Sequence, residues 1–161
     1  MEFNELIKGF AESIGLPGLG PNENGNYLLA VDEITVVFSE RAEEGLLQTS
    51  AEVCELPSEG VELIRMILLK AMFPGGGGAD GFVFSLDPEG QHVCLHRVDS
   101  LAALDIAGFR GVLEKFVNTL EEWRTTIREY SPVLGKAKEE HDRREEEERS
   151  FALNGGGFMQ V

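Results

Sequence analysis

Residues 105–130 read DIAGFRGVLEKFVNTLEEWRTTIREY. Ile106, Phe109, Leu113, Phe116, Leu120, Trp123, Ile127 and Tyr130 follow one another at steps of three or four, which places them on one stripe of an α-helix. Arg110, Glu114, Lys115, Glu121, Glu122 and Arg128 fall on the other side. A stripe built from Leu, Phe and Trp needs a broad apolar surface to lie on. The competing reading, a coiled-coil seam, asks for a longer run. Asp99 or Asp105 can cap the start of this helix, and Ser131-Pro132 reads as its end, because proline has no N–H to donate.

Working back from that helix, the chain supplies a sheet. Residues 81–86 read as a strand with Phe82, Phe84 and Leu86 on one face. Asp87-Pro88-Glu89-Gly90 has turn chemistry, and residues 91–98 return as its partner. Further back, Tyr27–Val31, residues 34–39 and residues 46–56 read as three strands. Ile34, Val36 and Phe38 share one face of the second, and Leu47, Thr49, Ala51 and Val53 share one face of the third. The short polar connections, Asp32-Glu33 and residues 40–45, make these strands antiparallel neighbours. Residues 2–14 read as an opening helix with Phe3, Leu6, Ile7, Phe10 and Ile14 on one face, stopped by Gly15 and Pro17. Residues 17–26 form a loop rich in Gly, Pro and Asn.

Between the two strand groups lies residues 59–72, a helix with Pro57 before it and Ser58 as its cap. It is apolar nearly all round, with Glu62, Arg65 and Lys70 as the interruptions past its first turn. One face of a small sheet cannot bury so much. A contact between subunits is the favoured reading, and full burial within one subunit the other. The glycine run 75–78 follows a helix and precedes no Lys-Ser/Thr, so it is a loop and not a phosphate cradle.

Residues 136–149, KAKEEHDRREEEER, have no apolar face and read as a frayed, solvated helix. The short apolar groups Phe151-Ala152-Leu153 and Phe158-Met159-Gln160-Val161 follow. They read as a docking element or as simple disorder.

The 161 residues suffice for one domain with a real core. A formal net charge of −15 makes nucleic acid and anionic membrane poor partners. Cys54 and Cys94 have no paired spacing and read as reduced thiols of a cytosolic protein. No basic leader opens the chain, and no apolar run spans a bilayer. His92, Cys94 and His96 alternate along one strand and face one way. That pattern can hold zinc, but no carboxylate is placed to complete it, and a half-buried strand face explains it as well. No nucleophile, base or acid pair stands in a catalytic arrangement. A binding protein without metal or cofactor is the expectation; a small metal-dependent enzyme on the three strand residues is the outlying one.

The order helix, three strands, helix, two strands, long helix in a small acidic chain resembles the class I chaperones of bacterial type III secretion, most closely the Tir chaperone (CesT) family. Glu5-Leu6-Ile7 with residues 10–16 looks like the family's first helix and the glycine after it. Asn22-Glu23-Asn24-Gly25 and Ala30-Val31-Asp32-Glu33-Ile34 look like its first hairpin, and Phe109, Leu113, Phe116, Val117 and Trp123 like its last helix. The likeness covers about residues 3–130; the tail falls outside it.

The resemblance implies an α+β fold, with a twisted antiparallel sheet and three helices, over residues 1–132. Residues 133–161 would be a mobile tail. It implies a cytoplasmic bacterial homodimer that is no enzyme and uses no ATP. Such a chaperone binds the N-terminal region of one or more secreted effectors and keeps it extended and soluble, with the secretion ATPase as a further partner. The contact between copies would involve Ile64, Ile67, Leu68, Phe82 and Phe84. The cargo surface would involve Phe3, Ile7, Ile34, Val36, Phe38 and Leu47. Each residue of the two sets could equally be core, because strand alternation does not say which face is covered. A regulatory protein of anti-activator type, sequestering a single partner, is the second reading.

Overall fold

The computed structural model describes residues 1–57, 60–73 and 81–154, with side chains to residue 130. Three α-helices pack with one antiparallel sheet in the order α1 Phe3–Ser13, β1 Tyr27–Val31, β2 Ile34–Arg41, β3 Leu46–Glu55, α2 Val61–Ala71, β4 Val83–Leu86, β5 His92–Ser100 and α3 Ile106–Asn154. The strands lie in the order β1-β2-β3-β5-β4. The chain leaves the sheet after β3, makes α2, and returns at the far edge as β4; β5 then fills the gap beside β3. Among the described residues β1 and β4 are therefore the two edges.

Period-two alternation separates the faces of the sheet. Tyr27 and Leu29, then Ile34, Val36 and Phe38, then Leu47, Thr49, Ala51 and Val53, then Val93 and Leu95 are all buried. Residues between them, such as Thr35, Gln48 and Cys94, are half-buried or exposed. The α3 stripe covers the buried face: Phe109, Leu113, Phe116, Leu120 and Ile127 are buried, and Trp123 packs against the same core. Rings lock the layers together. Phe109 meets Phe10 of α1 at 5.0 Å and Phe38 of β2 at 5.3 Å, both edge to face. At the other end of the sheet Phe116 meets Phe82 at 5.8 Å, and Trp123 meets Phe84 at 5.0 Å.

Local chemistry sets the element ends. Asp105 caps α3, its Oδ1 accepting the Gly108 amide at 2.7 Å, while Asp99 pairs with Arg97. The two-residue turn between β1 and β2 holds Asp32 at φ 51, a conformation that aspartate tolerates better than most residues. Gly60 precedes α2 at φ 74 without a side-chain cap; Ser58, expected there, lies outside the described residues, as does the glycine run 75–78.

One boundary is corrected. Ser131-Pro132 does not end the long helix, which continues to Asn154. Proline inside a helix costs about 3 kcal/mol or more, from one lost hydrogen bond and a clash with the carbonyl four residues back. That cost is local. The sequence that follows is dense in Ala, Lys, Glu and Arg, strong helix formers whose preferences sum over several turns.

Candidate functional site

Two surfaces stand out, and most of the residues that sequence alone suggested for them lie in the core instead. All six expected cargo contacts, Phe3, Ile7, Ile34, Val36, Phe38 and Leu47, are core residues of the single chain. Phe3 lies edge-on to Tyr27 at 5.6 Å. The Tyr27 hydroxyl donates to Asn4 Oδ1 at 2.8 Å, which ties the start of α1 to β1. Of the expected contacts between copies, Ile64, Leu68 and Phe82 are buried in the same core. Ile67 and Phe84 are half-buried.

The first surface is the outward side of α2. The helix seats Ile64, Leu68 and Ala71 in the core and leaves Met66 and Leu69 exposed, Leu69 at 73%. Phe73, just past the helix, is 71% exposed. The β4–β5 hairpin lies alongside: the Phe84 amide donates to Met72 Sδ at 3.4 Å, and Val83 and Leu86 are exposed on β4.

The second surface is the open face of the sheet. Leu28 on β1 stands exposed opposite Val37. Farther across, Arg41, Gln48, His96, Val83 and Val98 line a cleft of about 470 Å³ together with Gly81 and Arg97. Arg41 Nε and Nη2 donate to Gln48 Oε1 at 3.0 and 2.7 Å. The His96 ring contacts the Ser85 hydroxyl at 2.5 Å. Burial and the nearby Arg41 charge push the His96 pKa below the usual imidazole value.

The three strand residues that could suggest a metal are engaged separately. His92 Nδ1 pairs with Asp87 Oδ2 at 2.8 Å, and Asp87 Oδ1 accepts the Gln91 and His92 amides. Burial raises the Cys94 pKa and pushes Cys54 up to about 11, which leaves both as poor thiolate donors. Among the described residues no three His, Cys, Asp or Glu side chains form a group able to hold a metal ion. No helix among them is long and apolar enough to cross a membrane.

Comparison with solved structures finds the same fold. The ExsC–ExsE complex matches at 25% identity and TM-score 0.61, over 78% of this chain and 96% of that one. The HopA1–SchA chaperone–effector complex matches at 15% identity and TM-score 0.59, over 79% and 93%. The Yersinia pestis type III secretion chaperone SycH, bound to a fragment of YscM2, matches at 20% identity and TM-score 0.56, over 74% and 97%. No curated protein matches the sequence. The model of the Tir chaperone protein (CesT) family matches residues 5–124, which spans α1 through the packed part of α3. The chain belongs to the Tir chaperone (CesT) family of type III secretion chaperones.

Proposed function

We propose that the protein is a homodimeric chaperone that holds the N-terminal region of one or more secreted effectors extended and soluble, in the bacterial cytoplasm and without catalysis. The observation that carries the reading is the uncovered side of α2. Met66, Leu69 and Phe73 are large, apolar and exposed on one helix and its end, and contiguous apolar surface of that kind marks an interaction site. A second copy placed there covers α2 and the neighbouring β4 of each subunit, a self-complementary contact of the sort two-fold dimers use. Ile67 and Phe84, half-buried beside these residues, then complete their burial.

The open sheet face and the β1 edge remain for cargo. An extended segment gains main-chain hydrogen bonds at an edge and side-chain contacts on alternate residues. The complexes of HopA1 with SchA and of SycH with a fragment of YscM2 support the binding of partner proteins by this fold. In this reading residues 1–132 do the chaperone work and residues 133–161 are an addition to it.

Light scattering on a sizing column tests the dimer. The full chain should run at twice its 17.7 kDa, and Leu69→Asp should run as a folded monomer, since a carboxylate on an apolar interface loses its water without gaining a partner. A wild-type chain that is monomeric at micromolar concentration would sink the reading. Mass spectrometry of proteins retained by the tagged chain in a secreting bacterium tests the cargo. Effectors should be retained, and a single non-secreted regulator in their place would point to the anti-activator role.

A further inference from the structure

We propose that the cleft around Arg41 on the open face of the sheet is a recognition site for a carboxylate, the Asp or Glu side chain of the extended segment that the chaperone carries. The inference rests on the segment-binding reading above and names the chemistry that the segment should bring.

The chain as a whole repels carboxylates, with 29 acidic and 14 basic residues. The cleft is an exception: among the described residues no Asp or Glu lines it. Its cations differ in kind. Arg97 is already neutralised, its Nε and Nη2 held by both oxygens of Asp99 at 2.8–3.0 Å, and its guanidinium lies over the Phe82 ring. Arg41 has no such partner among the described residues; it donates to the neutral amide of Gln48. The Gln48 contact orients the guanidinium and leaves its charge and its remaining N–H donors unmatched. A carboxylate is the group that fits a fork of this geometry, through two parallel charge-assisted hydrogen bonds.

The surroundings select an extended peptide as the bearer of that carboxylate. Val83 and Val98 flank the polar centre and are 50% and 43% exposed. They offer apolar contact on either side of a charged one. Val83 lies on β4 and Arg41 on β2, with β5 and β3 between them, so the segment crosses the open face rather than pairing along the β4 edge. An extended segment turns alternate side chains toward the face it lies on. The preferred motif is therefore an acidic residue with apolar residues two positions away. His96 is kept neutral by burial and by Arg41, so the positive charge of the site sits on Arg41.

Panning a random peptide library against the full chain tests this. Selected peptides should carry an Asp or Glu flanked at alternate positions by apolar residues. The best of them, with its acidic residue changed to the amide, should bind the wild-type chain about tenfold more weakly, the effect of one charge-assisted pair worth about 1.4 kcal/mol. The same change should make no difference to binding by Arg41→Gln, an exposed strand-end substitution expected to leave the thermal midpoint in place. Apolar motifs without acidic enrichment, or an equal penalty in both chains, would overturn the carboxylate site and leave segment binding standing. Loss of the dimer in Arg41→Gln would overturn it too, by giving the cleft to a second copy. A library that yields no peptide would remove both the site and the segment-binding reading beneath it.

Discussion

The helices α1 and α2 have the same length, eleven residues, and meet opposite fates. In α1 the apolar residues fall on one side, and Phe3, Leu6, Ile7, Phe10 and Ala11 are all buried. Glu2, Asn4, Glu5, Lys8 and Glu12 meet solvent on the other. The single chain satisfies everything that helix asks for. In α2 the apolar residues go round the axis, and the core takes Ile64, Leu68 and Ala71. Met66 and Leu69 are left in water. The single chain covers the apolar side of α1 and leaves part of the apolar surface of α2 uncovered, the part proposed above for association.

The largest expected effect breaks the molecule on the complete side. Phe10→Ala removes a ring that meets Phe109, which in turn meets Phe38. It should cost about 3–5 kcal/mol in denaturant unfolding. Leu69→Ala, at a site already 73% exposed, should change the stability of the isolated subunit by about 0.5 kcal/mol or less. Equal costs for the two, measured at a concentration that keeps subunits apart, would erase the distinction between the helices.

A second contrast uses glycines. Gly9 of α1 faces Ile106 of α3 so closely that a Cβ would come within 2.6 Å of its δ-methyl. Alanine there asks a flexible side-chain tip to move; leucine asks for room that the helix crossing does not have. Gly9→Leu should cost about 1–3 kcal/mol by overpacking. Gly111 of α3 has nothing within 4 Å of its Cβ position. Gly111→Ala should stabilise by about 0.5–1 kcal/mol, the helix-propensity difference. Thermal midpoints moving in opposite directions would locate the tight α1–α3 contact at Gly9.

How much of this was legible in sequence follows from the same physics. The periodicities name faces, so α1, the strands, the β4–β5 hairpin and the α3 stripe could all be read from residue spacing. Periodicity does not say what covers a face. Phe3, Val36 and Phe38, which the pattern alone leaves as cargo surface or core, fill the core: Phe3 packs on Tyr27 and Phe38 on Phe109 of α3. The all-round apolar character of residues 59–72 announces an uncovered side, and Leu69 lies on it; Leu28, Phe73 and Val83 give no such signal, since one more apolar residue on or beside an apolar element interrupts no pattern. Arg41 reads in sequence as a charged residue in a turn; that it stands beside His96 on the open face depends on the order β2-β3-β5, which short-range signals do not carry. The end of α3 was misread because Pro132 is a strong local signal, and the many weak preferences after it outweigh it.

Thr49 sharpens the account of the filled side further. Its hydroxyl is buried with no hydrogen-bond partner in the described structure. Burying an unpaired hydroxyl costs about 1–3 kcal/mol. Thr49→Val keeps the shape and removes the orphaned group, so it should raise stability by about 1 kcal/mol. A loss of stability in that variant would show that the hydroxyl finds a partner when the protein is in solution.

The smallest expected effect lies beside α2, in the hairpin turn. Asp87 accepts two amides and the His92 ring. The backbone amide of His92, then its ring, lower the Asp87 pKa from 3.8; the hydrogen bond to Asp87 raises the His92 pKa from 6.5. The signs fix the window. A lowered carboxylate stabilises the fold above its ordinary value and loses that contribution as pH falls through its folded one; a raised imidazole stabilises below its ordinary value and loses it as pH rises past the folded one. The turn should therefore be firmest between 3.8 and 6.5 and loosen toward neutral pH. Amide exchange at Gln91 and His92, followed by NMR from pH 5 to pH 8, should quicken beyond the intrinsic rise with pH as His92 deprotonates. Asp87→Asn should bring the His92 titration back toward its ordinary value and remove the step. If the step persists in that variant, the pH response belongs to another group, and the Asp87–His92 pair is not what firms the hairpin turn.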